Sequence, residues 1–474
     1  MFKLLRNTSL YTIGNILPKV ASFFLLPLYT RYLTPEDYGI VNSMNVLMTI
    51  LTVFFTMAID RAIYRLYYDY KTEKGKKDFL GSVFITLILN AFIMLIITLL
   101  GKNILGKVFS SIPFYPYYVY IIGTVFFTTF GIIPKTYFQV QQKAGTFIII
   151  SLAEFVISTG LIIYFIVFAG KGASGMLLAG LIKSLILLPL FLFVIYKITN
   201  FTFKPKIMKE SLSYSMPLVP ALLSAWILNL SDRIFIERYF SLKDVGLYGL
   251  SYRMAEILMV FIAGFYKAYN PIFYQIANQE NQIEAKEKLF KYNKIYLIIL
   301  IYFALGISLF SKEFILLLDA KYISAYKLVP LIMIGILFSQ AGGLLNLTIY
   351  QQKKTKQIMF LILTAGFLNI GLNWLLVPRY GSTGAALATT ITFISFYIIK
   401  YFYSKKCYFI PVAKRELGFY LVFFLLTITI FSFINFNLWI SILLKTSVMT
   451  IFTFILFIKY KEIIFRLLPI KRKR

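Results

Sequence analysis

The sequence has no histidine and a single cysteine, Cys407. The missing histidine excludes imidazole acid–base chemistry and the HExxH zinc site. The lone cysteine excludes an internal disulfide and any cysteine-held metal cluster. Charge is scarce too. Asp, Glu, Lys and Arg make up 14% of the 474 residues, against about 25% in a soluble domain. Acid is the scarcer sign, with 19 acidic residues against 49 basic ones and a net charge of +30.

What the chain has in quantity is apolar surface. Hydrophobic residues make up 59% and aromatics 18%, and the mean hydropathy is +0.78. One buried core cannot absorb that much. The apolar residues fall in runs of about twenty, the length an α-helix needs to cross a bilayer. The chain therefore reads as an all-α integral membrane protein. Its basic charge would point to nucleic acid in a soluble protein. Here it sits in short loops between the runs and reads as a topology signal, with no nucleic-acid partner.

Fourteen spans fit, at roughly 8–30, 40–59, 80–100, 117–133, 146–168, 175–196, 213–236, 247–267, 292–311, 328–349, 358–377, 384–400, 417–435 and 437–458. With the N-terminus cytoplasmic, the inner segments hold 34 Lys and Arg and the outer loops ten. That asymmetry puts both termini on the cytoplasmic side. The closing stretch "KYKEIIFRLLPIKRKR" is then a basic amphipathic anchor beside the anionic inner leaflet. The basic N-terminus lacks an A-x-A cleavage pattern and reads as a retained first helix. Outer loops are short, and the largest inner loop, "NPIFYQIANQENQIEAKEKLFKYNK", is expected to form an interfacial helix. "GKNILGKV" at 101–108 nearly spells a phosphate-binding loop, but Val108 replaces the required hydroxyl residue.

Three segments recur in order. "RYLTPEDYG" (31–39) returns as "RYFSLKDVG" (238–246), 207 residues later. "YFQVQQKAGT" after span 4 returns as "LTIYQQKKTK" after span 10, and "GASGMLLAGLI" entering span 6 returns as "GSTGAALATTI" entering span 12, at offsets of 210 and 209. Spans 1–6 and 7–12 therefore read as two copies of one unit. Six is even, so both copies share an orientation, and the axis relating them runs along the membrane normal. That is the parallel repeat of rocking-bundle transporters, with the substrate path between the halves. The expected units are 1–200, 201–411, and 412–474 for the unrepeated spans 13 and 14 with the tail.

The segments "LPKVASFFLLPLYTRYLTPEDYGIVN" and "LSDRIFIERYFSLKDVGLYGLSYRMAEIL" resemble the multidrug/oligosaccharidyl-lipid/polysaccharide exporter superfamily, and within it the Wzx-type flippases of polysaccharide repeat units. The resemblance runs over spans 1–12. It implies two V-shaped lobes like those of the MATE exporters, with two added C-terminal helices. It implies a flippase of undecaprenyl-diphosphate-linked oligosaccharide in the bacterial cytoplasmic membrane, serving O-antigen, capsule or exopolysaccharide synthesis. It also implies no cofactor and, as partners, membrane lipids, a polysaccharide polymerase and glycosyltransferases. A peptidoglycan-precursor flippase and a cation-coupled multidrug antiporter share the fold and stay open as alternatives. A membrane glycosyltransferase or polymerase fits less well, because no Asp-x-Asp pair occurs and the outer loops are short.

Polar residues within the spans mark candidate sites. Asn42, Asn45, Thr49, Thr52, Thr56 and Asp60 share one face of span 2, and Tyr11, Asn15, Lys19 and Ser22 one face of span 1. Tyr248, Tyr252 and Glu256 line span 8, and Ser151, Glu154 and Ser158 line span 5. The Asn and Thr stripes fit interhelical packing and cavity lining equally. Charges weight the choice. Five basic residues lie within spans, and on the insertion scale each costs about 2.5–3.5 kcal/mol against lipid. Arg233 and Lys445 read as snorkelling to span ends. Lys19, Lys183 and Arg253 read as facing a wet interior that receives a diphosphate, for which Lys and Arg are the natural partners. A drug exporter receiving cations is expected to be acidic there.

Among the acids, Arg253 and Glu256 stand at i, i+3 and are expected to neutralise each other. Asp232 and Arg233 are adjacent and point to different faces, so no pairing is required of them. Glu154, with no base near it in sequence, reads equally as a protonation or ion-coupling site and as a carboxyl bonded to a neighbouring helix. No metal site is expected. Prolines 18, 27, 217 and 220 interrupt spans 1 and 7, the equivalent helices of the two copies. Both are expected to bend during alternating access.

Overall fold

Twelve helices in the computed structural model are long and apolar enough to cross a membrane. The structure describes residues 17–18, 20–434 and 437–467. The count differs from fourteen for two reasons. Much of the expected span 1 lies outside the described residues. Spans 11 and 12 form a single element, Lys356–Lys405, 50 residues long and broken at Gly381, whose φ of +56° and ψ of −137° are not helical. The chain doubles back there: Asn369 Nδ2 donates to Thr392 Oγ1 at 3.4 Å across the two arms. The element therefore supplies two antiparallel arms.

In the first repeat the helices are α1 (Leu26–Tyr32), α2 (Pro35–Thr56), α3 (Ile59–Leu66), α4 (Glu73–Leu100), α5 (Val119–Thr129), α6 (Ile132–Val140), α7 (Ala144–Ile163) and α8 (Gly172–Ile198). A linking helix, α9 (Pro205–Ser215), follows. The second repeat contains α10 (Val219–Leu230), α11 (Asp232–Tyr239), α12 (Leu242–Ala277), α13 (Gln282–Leu309), α14 (Ser311–Leu318), α15 (Val329–Gln351) and α16 (Thr355–Lys405). The unrepeated pair is α17 (Lys414–Phe433) and α18 (Leu438–Leu467). The largest inner loop forms no separate interfacial helix. α12 and α13 continue through it, because Asn281 caps α13 through the Glu284 amide and i,i+4 Glu–Lys pairs support the polar turns that follow. Three of the four prolines lie at breaks: Pro27 follows a turn at Leu25, and Pro217 lies in a 3₁₀ turn between α9 and α10, just before Pro220.

The sequence repeat is repeated structure. Thr34 caps α2 by accepting from the Asp37 amide, and Ser241 caps α12 by accepting from the Asp244 amide. Gly172 and Gly381 occupy the left-handed region at φ +53° and +56°, where only glycine is free of strain. Each precedes the residue that reaches the equivalent cap: Ala173 N donates to Asp37 Oδ1 and Ser382 Oγ to the Asp244 carbonyl oxygen.

The linking segment packs on the first repeat, although it lies beyond the boundary expected at residue 200. Asp78 accepts from Asn200 Nδ2 at 2.7 Å and pairs with Lys204 Nζ at 2.6 Å. Tyr70 donates to Glu210. Burial and the Glu210 carboxylate push the Tyr70 hydroxyl up to about 12, so it stays a donor throughout the physiological range.

The unrepeated pair is fastened to the second repeat at both ends. At one end Glu416 meets Lys294 at 2.7 Å and Lys459 at 3.6 Å. At the other, Lys445 Nζ meets Glu313 at 2.6 Å, and Ser441 donates to the same carboxylate. Lys445 is thus buried in a pair and does not snorkel, because α14 delivers a carboxylate to its level. Breaking a buried pair from one side costs about 3–5 kcal/mol. Glu313→Ala is accordingly expected to lower the Tm of the purified protein clearly, and Glu313→Leu with Lys445→Met to recover most of the loss; a differential scanning measurement decides.

Candidate functional site

α2 and α12 cross at the end that bears the repeated turns. Gly39 lies against the Leu242 backbone, Gly246 against Pro35, and Gly249 against the Asn42 side chain. Around the crossing, Leu26, Tyr29 and Tyr38 pack with Leu247, Leu250 and Tyr322 in one buried cluster shared by both repeats. Hydrogen bonds between the repeats gather here as well. Tyr322 donates to Leu33 O at 3.0 Å, Lys321 to Arg31 O at 3.1 Å, and the Ser111 amide to Glu237 at 2.6 Å.

Away from the crossing the helices open. Along the α2 stripe Asn42 is half-buried against Gly249, Asn45 is half-buried, and Thr49 and Thr52 are exposed. α12 shows the same gradient, from buried Gly246 and Gly249 to Arg253 and Glu256, whose side chains are 46% and 48% exposed. Thr49 and Glu256 are equivalent at the 207-residue offset. The face between the repeats is therefore closed at the turns and open beyond them, the two sides of a V.

Arg253 dominates that face. Its Nη1 meets Glu256 Oε2 at 2.8 Å, the pairing expected from the i, i+3 spacing. The phenols of Tyr38 and Tyr29, from the first repeat, are in its electrostatic neighbourhood. The guanidinium thus sits at the apex of the cleft, with donors to spare for an incoming anion.

Asp232 and Arg233 correct the sequence expectation twice. They do pair, at 2.7 Å, and Arg233 is buried, only 5% exposed, without snorkelling. The break between α10 and α11 lets the Arg233 side chain fold back. Its Nη1 reaches Asn229 O at 2.6 Å, and its guanidinium lies over the Tyr252 and Tyr248 rings at 4.5 and 5.3 Å. Tyr248 donates to the other Asp232 oxygen. Tyr248 and Tyr252 consequently turn into the second repeat and do not share the open face with Glu256. Asn369, Asn373 and Thr392 continue the buried polar cluster.

In the first repeat, Glu154 does have a base beside it. Lys135, nineteen residues away in sequence, reaches it at 3.0 Å from α6. Lys183 on α8 is half-buried, with Glu154 and Lys135 as its charged neighbours. It is not brought to Arg253. Asn15 and Lys19 lie outside the described residues. Sequence reading also missed Lys400, the last residue of the expected span 12, which it counted with the inner-loop charges. The residue is 4% exposed, its Nζ lies 3.7 Å from the centre of the Phe396 ring, and no carboxylate among the described residues pairs with it. The signal available was direction: helical side chains lean toward the N-terminus of their helix, which carries Lys400 into the bundle.

Known proteins resemble this chain in sequence and in fold. The model of the family described as polysaccharide biosynthesis protein matches residues 4–277, and the MatE model matches 217–375. An uncharacterised membrane protein of Haemophilus influenzae is 23% identical over 380 residues, covering 78% of this chain and 89% of its own length. The capsular polysaccharide biosynthesis protein CapF of Staphylococcus aureus is 23% identical over 426 residues, covering 85% of this chain and 100% of its own. Among solved structures, the lipid II flippase MurJ in an inward closed conformation has a TM-score of 0.77 at 18% identity, over 96% of this chain and 99% of that one. An inward-facing multidrug resistance MATE family transporter has a TM-score of 0.66 at 16% identity, over 84% and 94%.

Fold and site together define a multi-pass membrane transporter of the two-repeat exporter type. The chain belongs to the polysaccharide biosynthesis protein family, within the multidrug/oligosaccharidyl-lipid/polysaccharide exporter superfamily.

Proposed function

We propose that the protein is a flippase that moves undecaprenyl-diphosphate-linked oligosaccharide repeat units across the bacterial cytoplasmic membrane by alternating access, for a surface polysaccharide. The observation that carries this reading is Arg253, a half-exposed guanidinium at the apex of the open face between the repeats. A diphosphate head brings charge of the sign that this site favours and accepts hydrogen bonds in the geometry an arginine fork donates. Family membership and the likeness to a capsular polysaccharide protein support the oligosaccharide.

The charge asymmetry of the loops supports cytoplasmic termini, which makes the repeated turns the outer end and the V open to the cytoplasm. In that orientation the cargo enters from the leaflet where lipid-linked sugars are assembled. Lys19, Lys183, Asn15, Asn42 and Asn45 are proposed to assist along the path. Glu154, with Lys135 and Lys183, and Glu256, with Arg253, are proposed charge partners during turnover, and Asp232 a buried one. Spans 1 and 7 are proposed to bend at their proline breaks as the two lobes rock. A polymerase and glycosyltransferases are the proposed partners.

The test is deletion followed by lipid analysis. Undecaprenyl-linked repeat units are expected to accumulate on the inner leaflet, to clear when the wild-type gene is restored, and to persist with Arg253→Ala or Lys19→Ala. Normal surface polymer in the deletion strain, with no duplicate gene, refutes the assignment. Accumulation of a peptidoglycan precursor would move it to that substrate.

A further inference from the structure

The second helices of the two repeats differ at one equivalent place. In span 2 the helix breaks between α2 and α3, where Met57 and Ala58 both take left-handed conformations, at φ +49° and +54°. At the offset of 207 the same place in span 8 holds Gly264 and Phe265, shortly after Val260–Phe261, which repeat Val53–Phe54. There α12 runs on as one helix of 36 residues.

Each place holds the residue that suits the other conformation. Methionine and alanine are among the best helix formers, yet they carry the break, and the left-handed region strains any residue with a Cβ. Glycine takes that region freely and weakens a helix interior, yet Gly264 lies inside a helix. Packing does not ask for it: a Cβ on Gly264 would meet nothing within 4 Å. The break in span 2 is a built feature. Asn90 of α4 donates through Nδ2 to both Phe54 O and Phe55 O, at 2.9 and 2.8 Å, and so satisfies carbonyls that a helix end leaves free. Local preferences opposed at matched positions mark an element with two uses.

The two sides of Gly264 also belong to different neighbours. The turn-bearing part of α12 packs across the seam on α2, through Gly246 and Gly249. The part beyond Gly264 is tied into its own repeat. Phe265 stacks on Tyr296 of α13 with ring centres 4.3 Å apart, and Tyr269 donates to Asn293 Oδ1 at 2.6 Å. Tyr266 donates to Gln340 O on α15 at 2.8 Å. The break in span 2 makes the same division, since α3 beyond it is tied to its own repeat by Tyr64, which donates to Gln139 on α6.

We infer that Gly264 is a hinge in span 8, straight in the state described here and broken, in the manner of Met57–Ala58, when the passage changes sides. The inference rests on the transport reading above and adds to it the point at which the second repeat bends. The part of α12 beyond the hinge then turns with its own repeat while the remainder stays on α2.

Two experiments decide it. Gly264→Ala fits the open space and favours the straight form by about fivefold. Surface polymer is therefore expected to form about fivefold more slowly, with Tm unchanged or raised. Gly371→Ala is the control, because Gly371 also lies inside a helix with nothing within 4 Å of its Cβ position and matches no break in the first repeat. Unchanged polymer formation with Gly264→Ala, or an equal loss in the control, overturns the hinge. The second measurement needs no cargo. In a Cys407→Ser background, spin labels at Lys243→Cys and Gln275→Cys stand about 48 Å apart on a straight helix. The protein in lipid nanodiscs is expected to show this distance and a shorter one, and Gly264→Ala to cut the shorter population about fivefold. The straight distance alone, or a shorter population that Gly264→Ala leaves intact, overturns the inference. Two distances beside normal polymer in the deletion strain would keep the hinge and remove the flippase.

Discussion

Asp232→Ala is expected to lower the Tm of the purified protein by roughly 5–10 °C, from a loss of about 3–5 kcal/mol. The reason is what the substitution leaves behind. Arg233 remains buried, and of its partners only Asn229 O and the faces of Tyr248 and Tyr252 are left to it. A desolvated cation–π contact is worth about 2 kcal/mol, less than an unpaired buried cation costs. Tyr248 also loses its acceptor. Replacing both charges, as Asp232→Leu with Arg233→Met, is expected to return most of the stability, since an apolar filling of similar volume is often no worse than a buried pair. If the double variant melts as low as the single one, the pair is not what holds α10, α11 and α12 together.

Arg253→Ala is expected to act in the opposite register, leaving Tm nearly unchanged while transport falls by about 10–100-fold. Half-exposed ion pairs contribute little to stability, so losing the bond to Glu256 is nearly free. A charge-assisted hydrogen bond to a bound anion is worth about 1.5–3 kcal/mol, which sets the size of the transport defect. Arg253→Lys keeps the charge without the planar fork and is expected to fall between wild type and alanine. Glu256→Gln removes the carboxylate that competes with cargo for Arg253, so apparent affinity should rise. Initial rates of lipid-linked oligosaccharide transfer in proteoliposomes, beside melting curves, separate these outcomes. Wild-type rates with Arg253→Ala would remove the residue from the path.

Much of the architecture was legible because it is local. Runs of apolar residues near twenty long marked the crossings, and the segments that recur from 31 to 238 and from 172 to 381 marked equivalent turns in the two copies. The Arg253–Glu256 pair was legible because i, i+3 neighbours must share a helix face. The misreadings were all between helices or at their breaks. Glu154 looked isolated because Lys135 belongs to another helix. Lys445 looked bound for the surface because Glu313 stands 132 residues earlier. Tyr248 and Tyr252 fell on one stripe with Glu256, yet a helical face is wide enough for its two edges to serve different neighbours.

By itself, then, the amino-acid order determined that the chain is helical and multi-pass, that it is built from a doubled unit, and that it lives in lipid. Hydropathy, capping and backbone sterics act over a few residues and can be read in one dimension. Only the tertiary structure decided which charges are spent on one another and which stay free. Those pairings depend on how each helix is rotated about its axis and on which helix stands beside it. Packing settles both, across separations of tens to hundreds of residues.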